Sequence, residues 1–171
     1  IVDSHVHIPW YAFSLPPYKI DITYPAVKSI ADIREAIRAA AAKAKPGEWI
    51  MGDGWNQAAI QEIIDDPTRR MCKEDFDEAS PNNPVYLLEF SHHNAVVNSA
   101  ALRAAGINGK TPDPVGGSYP KGADGEPTGY IVERGIIEFE KVMPTYTREQ
   151  TKEAFLNCAK TLATLGITSV N

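Results

Sequence analysis

The chain opens with IVDSHVHI, in which Asp3, His5 and His7 occupy every second position between Val2, Ser4, Val6 and Ile8. Alternation with a period of two is the signature of a β-strand, whose successive side chains point to opposite faces. The three polar groups are therefore expected on one face of a first strand. Two histidines so spaced have Cα atoms roughly 6.5–7 Å apart. Their ring nitrogens can then converge on one ion at about 2.0–2.1 Å, the usual zinc–imidazole distance. Asp3 on the same face can orient a ligand histidine or take up a metal itself. The flanking Ile1, Val2, Val6 and Ile8 predict a buried strand, in which histidines need partners. The competing reading is a solvated strand that merely carries two histidines.

Further along, Ser29 with Asp32 predicts a capped helix whose apolar face is Ile30, Ile33, Ile37, Ala40, Ala41 and Ala44, ended by Pro46-Gly47. Residues 9 to 25 read as an irregular, Pro- and Tyr-rich excursion. Trp49-Ile50-Met51 reads as a strand stopped by Gly52-Asp53-Gly54, a turn that could bring Trp55 and Asn56 near a ligand; turn chemistry alone accounts for the glycines equally well. Val85 to Phe90 is a continuous apolar run apart from Glu89, hence a short buried strand. It leads to His92 and His93. Adjacent histidines on a strand face opposite ways, so at most one of the two is expected to enter a site.

Asn98 or Ser99 caps a short helix closed by Gly106. Gly116-Gly117 and Asp124-Gly125 mark turns. Tyr130 to Val132 reads as extended, leading through Glu133 into a helix over 134–142. Thr147 with Gln150 makes a capping box for a helix with Phe155, Cys158, Ala159, Leu162 and Ala163 on its apolar face. That helix passes through Leu165-Gly166 into the strand Ile167 to Val170, the pattern of a parallel α/β unit.

Composition narrows the function classes. The 171 residues carry a net charge of −5 without a basic stripe, which argues against a nucleic-acid partner. No apolar run is long enough to span a membrane. Cys72 and Cys158 have no metal or redox spacing and read as reduced thiols of a cytoplasmic protein, with a disulfide between them left open. The chain starts at Ile1 and stops at Asn171, each beside an apparent strand, so it reads as a fragment whose open strand edges invite association, including a homo-oligomer.

Five stretches, DSHVHI, GDGWNQ, SPNNPVYLLEFSHHNAVVNSAALRAAGI, GEPTGYIVE and LATLGITSV, taken in this order resemble the metal-dependent amidohydrolase superfamily. Within it they are most similar to the third amidohydrolase family, the YtcJ-like and N-substituted formamide deformylase-like enzymes. The resemblance implies an α/β chain forming the first part of a (β/α)8 barrel. Residues 1–8 would be the first barrel strand, 9–145 a large α+β insertion, and 146–171 a helix and the second strand. It implies His5 and His7 as metal ligands, Asp3 as supporting acid, and one or two divalent ions, with zinc expected. His93, preceding the Asn98-Ser99 pair, would approach the substrate, and Glu133, following the Gly-Glu-Pro-Thr-Gly turn, would be a metal or pocket carboxylate, both as catalytic candidates. Trp55 and Asn98 are candidates for the pocket, and His92 is expected to be structural.

The implied reaction is hydrolysis of a carbon–nitrogen bond in a small amide or formamide by a metal-activated water. The remaining ligands and the general base of such enzymes have no counterpart here, so the isolated chain is expected to have little activity. Two rivals share the opening: a phosphoesterase of the polymerase-and-histidinol-phosphatase type, and a non-catalytic α/β domain that serves packing or dimerisation.

Overall fold

A computed structural model describes all residues, Ile1–Asn171. The elements run β1 (Val2–Asp3), α1 (Ile8–Ser14), β2 (Ile20–Asp21), α2 (Ile30–Ala41) and β3 (Ile50–Trp55), followed by a 3-10 turn (Gln57–Ala59). Then come α3 (Gln61–Asp65), α4 (Glu74–Asp77), β4 (Val85–Glu89), β5 (Asn94–Val97), α5 (Ser99–Ala105) and β6 (Gly117–Ser118). The chain finishes with β7 (Tyr130–Glu133), α6 (Arg134–Glu140), α7 (Arg148–Thr164) and β8 (Ser169–Val170). The fold is mixed α/β and divides into two compact units, one of residues 1–19 with 144–171 and one of residues 20–143. No helix is long and apolar enough to cross a membrane. Both cysteines are free thiols.

In the first unit, β1 and β8 pair in parallel, Val2 opposite Ser169 and Asp3 opposite Val170. Backbone bonds extend the ladder at both ends, from Thr168 N–H to the Ile1 carbonyl and from Val6 N–H to that of Asn171. The capping box at Thr147 and Gln150 forms as expected, fixing where α7 starts. Its buried stripe is Ala154, Cys158 and Leu162, at i, i+4 and i+8, packed with Ala12 and partly buried Ile8, Tyr11 and Phe13. Phe155, Ala159 and Ala163, expected on that face, stay exposed. Phe13 instead stacks on Tyr146 at 4.2 Å between ring centres.

The first strand is far shorter than the alternation predicts. Asp3 Oδ1 accepts the N–H of His5 at 3.1 Å, an Asx turn that bends the backbone out of the ladder. Pro9 then falls in the first turn of α1, with His7 as its N-cap residue. Asp3, His5 and His7 therefore do not share a strand face. Nor is the strand buried: Ile1 and Val2 are 75% and 70% exposed. The stretch read as irregular, 9 to 25, holds most of α1 and all of β2.

The second unit is an open six-stranded sheet in the order β2-β3-β4-β5-β7-β6. β2, β3 and β4 are parallel, and the β4–β5, β5–β7 and β7–β6 pairs are antiparallel. Successive residues of β4 feed opposite cores, as the period of two requires. Val85 and Leu87 pack with Ile33 and Ile37 of α2 and Phe76 of α4. Tyr86 and Leu88 pack with Leu102 of α5 and Ile136 and Phe139 of α6. Covered on both sides, β4 is buried along its whole length.

β3 does not stop at Gly52, as its glycines suggest. A Cβ on Gly52 would lie 2.8 Å from Ile22 Cδ1 and 3.0 Å from Leu87 Cδ2, so glycine there permits close strand packing. Gly54, at φ 93°, sits where the β3–β4 register shifts, a bulge. The apolar run ends one residue short of Phe90, which lies beyond β4 and is 57% exposed, and a further strand, β5, follows the turn.

Asn98 closes this arrangement. Its side chain, fully buried, accepts from the N–H groups of Val85 and Ala101 and donates to the carbonyls of Ser80 and Asn83, all within 3.0 Å. Asn98→Ala strands three buried backbone groups, the Asn83 carbonyl keeping the Ser80 hydroxyl as a donor, and is expected to cost about 3 kcal/mol in urea unfolding. Asn98→Asp, which keeps the acceptor but cannot donate, should also destabilise clearly.

Candidate functional site

In the first unit the end of β1 delivers two imidazoles. His5 follows the Asx turn and His7 starts α1; their rings lie edge to face with centres 5.0 Å apart and planes at 88°. His7 also stacks on Trp10 at 4.8 Å. Two imidazoles bound tetrahedrally at about 2.0–2.1 Å have ring centres roughly 5 Å apart, so the pair has the separation of two ligands of one ion. Both are exposed. The Asp3 carboxylate is bonded to the His5 backbone. No three His, Cys, Asp or Glu side chains assemble in an arrangement that could hold a metal. The residues present thus fit as part of a ligand set, since a catalytic zinc takes three protein ligands and a water.

In the second unit, polar groups gather at one end of the sheet. His92 and His93 lie in the β4–β5 connection, a turn and not a strand. His92, at φ 61°, brings Nε2 to 3.5 Å from Oδ1 of Asp53 on β3. His93 places Nδ1 3.1 Å from Oε2 of Glu133 at the end of β7. Both histidines therefore meet carboxylates, where the strand argument allowed only one of them into a site. Asp53 is nearly buried and Glu89 is 2% exposed. Glu89 Oε2 accepts from Ser91 Oγ and, at 3.0 Å, from Asn94 Nδ2. Burial and the nearby Glu89 push the Tyr130 phenol above its ordinary pKa.

Two residues expected at a pocket lie in the interior. Trp55 is fully buried in the α2-side core, its indole N–H donating to the Leu87 carbonyl at 3.2 Å. Asn98 is the buried hub described above. Each looks functional in the sequence because it follows a glycine turn or heads a helix, and each is spent on the fold. Asp53 and Glu89 were not singled out as site residues. The signal for Glu89 was present: a carboxylate inside an otherwise apolar strand.

The model for the amidohydrolase family matches residues 1–171. The chain belongs to that family. The chain is 32% identical to the Bacillus subtilis protein YtcJ, named as an amidohydrolase, over 98% of its own length and 30% of that protein's. It is 33% identical to the N-substituted formamide deformylase of Arthrobacter pascens over 132 residues, 77% of the chain and 23% of the enzyme. The crystal structure of an uncharacterized metal-dependent hydrolase from Pyrococcus furiosus superimposes with a TM-score of 0.62 at 26% identity. That match covers 99% of the chain and 30% of the hydrolase. The chain therefore spans under a third of the length of these relatives.

The buried carboxylate at this end of the sheet depends on its two donors. Removing both its donors, with Ser91→Ala and Asn94→Ala together, should cost about 2–3 kcal/mol in chemical denaturation. Adding Glu89→Leu should recover part of that loss, because an apolar side chain needs no donors.

Proposed function

We propose that this chain is part of a metal-dependent hydrolase that cleaves the carbon–nitrogen bond of a small amide or formamide. The observation that carries the proposal is the His5–His7 pair, with ring centres 5.0 Å apart just beyond a parallel strand pair. Membership of the amidohydrolase family supports the reaction class, and the deformylase relative supports the substrate class.

In this reading β1, α7 and β8 are the first strand, helix and second strand of a (β/α)8 barrel, with residues 20–143 interpolated between them. Functional groups of such barrels sit at the C-terminal ends of strands, where His5 and His7 follow β1. A right-handed crossover tolerates an insertion of this size. The two free thiols suit a cytoplasmic setting.

His5 and His7 would hold the ion, zinc or another divalent metal, through ring nitrogens. When bound, zinc would supply a Lewis acid for the scissile carbonyl and lower the pKa of a bound water to about 7. The protein's own part is orientation and proton handling. Trp10 braces the His7 ring, restricting the rotation that would open the pair. In the second unit, His93, bonded to Glu133 and 65% exposed, is a separate candidate for proton exchange.

Elemental mass spectrometry of the purified chain beside a His5→Ala/His7→Ala variant tests the ligand assignment. Zinc or another divalent metal should accompany the parent and be lost from the variant. Equal metal content in both would overturn the assignment of these two histidines.

A further inference from the structure

Two non-glycine residues in the chain have a positive φ, His92 at 61° and Glu133 at 53°. Both belong to the histidine–carboxylate pairs at the end of the second unit's sheet. Glu133 is the more demanding of the two. With ψ at −124° it occupies a region where an L side chain is disfavoured and glycine is the natural occupant. Its backbone is pinned there from two sides: its N–H donates to the His93 carbonyl at 2.8 Å, and the next N–H, of Arg134, donates to the Gly116 carbonyl at 3.3 Å. A glycine would satisfy that turn with less strain. What a glycine cannot supply is the carboxylate that reaches His93.

The bond to that carboxylate determines the state of the ring. An ionised carboxylate only accepts, so the 3.1 Å contact requires a proton on His93 Nδ1. In the neutral imidazole the other nitrogen, Nε2, then carries a lone pair. We infer that Glu133 is a positioning residue: it holds the neutral His93 ring in its Nδ1–H form, so that Nε2 is presented as a hydrogen-bond acceptor. The backbone strain at Glu133 is tolerated in favour of that orientation. His92 makes the complementary contact, its Nε2 facing Asp53, so neighbouring rings turn opposite nitrogens toward their carboxylates.

The inference extends the hydrolase reading by assigning the hydrogen-bonding state of its candidate residue His93. It is testable without metal, substrate or turnover, so its failure is separable from failure of that reading. The measurement is the imidazole nitrogen shifts of the full chain, by long-range proton–nitrogen NMR at a pH where histidine is neutral, with His93 assigned through His93→Gln. The parent should show Nδ1–H at His93. Glu133→Gly should shift the ring toward Nε2–H, the form favoured in free imidazole side chains, and raise the melting temperature by a few degrees as the strain is relieved. Glu133→Gln, whose amide oxygen still accepts, should restore the Nδ1–H form. An Nε2–H ring in the parent, or an unchanged tautomer in Glu133→Gly, overturns the inference. A drop in melting temperature in Glu133→Gly does so as well, because Glu133 would then serve the fold rather than the ring.

Discussion

The second unit depends on one side chain that water cannot reach. Asn98 accepts from the first residue of β4 and from the first turn of α5, and donates to the two carbonyls of the turn before β4. These bonds fix where β4 begins, and its own N–H returns to the Val85 carbonyl to tie β5 beside it. The result is the register that sets Tyr86 against Val97 and Leu88 against Ala95. A slip of one residue would exchange the two faces of β4, sending Val85 and Leu87 into the core built for Tyr86 and Leu88. Because both faces are packed, such a slip has nowhere to go, and the position of the β4–β5 turn is decided before any functional group is considered.

The candidate polar groups are consequences of that turn. In the sheet, β3 flanks β4 and β7 flanks β5. A connection that departs from extended geometry at His92 gives each of two adjacent histidines its own neighbour, Asp53 on β3 for one and Glu133 on β7 for the other. The exposed pair gains little stability by itself, since solvent screens it. Its value lies in fixing ring orientation. Glu89, by contrast, is buried at the end of β4 and is held by donors from the same connection, Ser91, and from the first residue of β5, Asn94. It shapes the turn from within while the histidines face outward from it.

What the sequence made legible is local. The Ser29 and Thr147 caps and the Gly106 helix end arise from neighbours within a few residues and form as read, and the apolar strand read at 85–90 forms but for Phe90. The first strand fails for an equally local reason that alternation does not encode: the Asp3 side chain competes for the His5 N–H that a ladder would need. Trp55 and Asn98 are illegible for a different reason. Whether a tryptophan after glycine lines a pocket or fills a core depends on strands paired across more than thirty residues, as in its bond to Leu87. The His93–Glu133 pair spans forty residues and has no local signature except the motif order that carried the family resemblance.

The same distinction divides the chemistry. His5 and His7 are brought together by three residues of chain, an Asx turn and a helix start, so their pairing carries almost no loop-closure cost. A site that needs three or four ligands can obtain two of them this way from a short segment at the end of one strand. The remaining ligands must come from distant positions and are assembled only by the folded core. The His93–Glu133 pair is the opposite case: it exists only because a sheet is in register, and it is held tightly enough to keep a glutamate in backbone space that glycine prefers. The His5–His7 pair is therefore set by local turns and can form early. The His93–Glu133 pair is set by strand register and is lost with it.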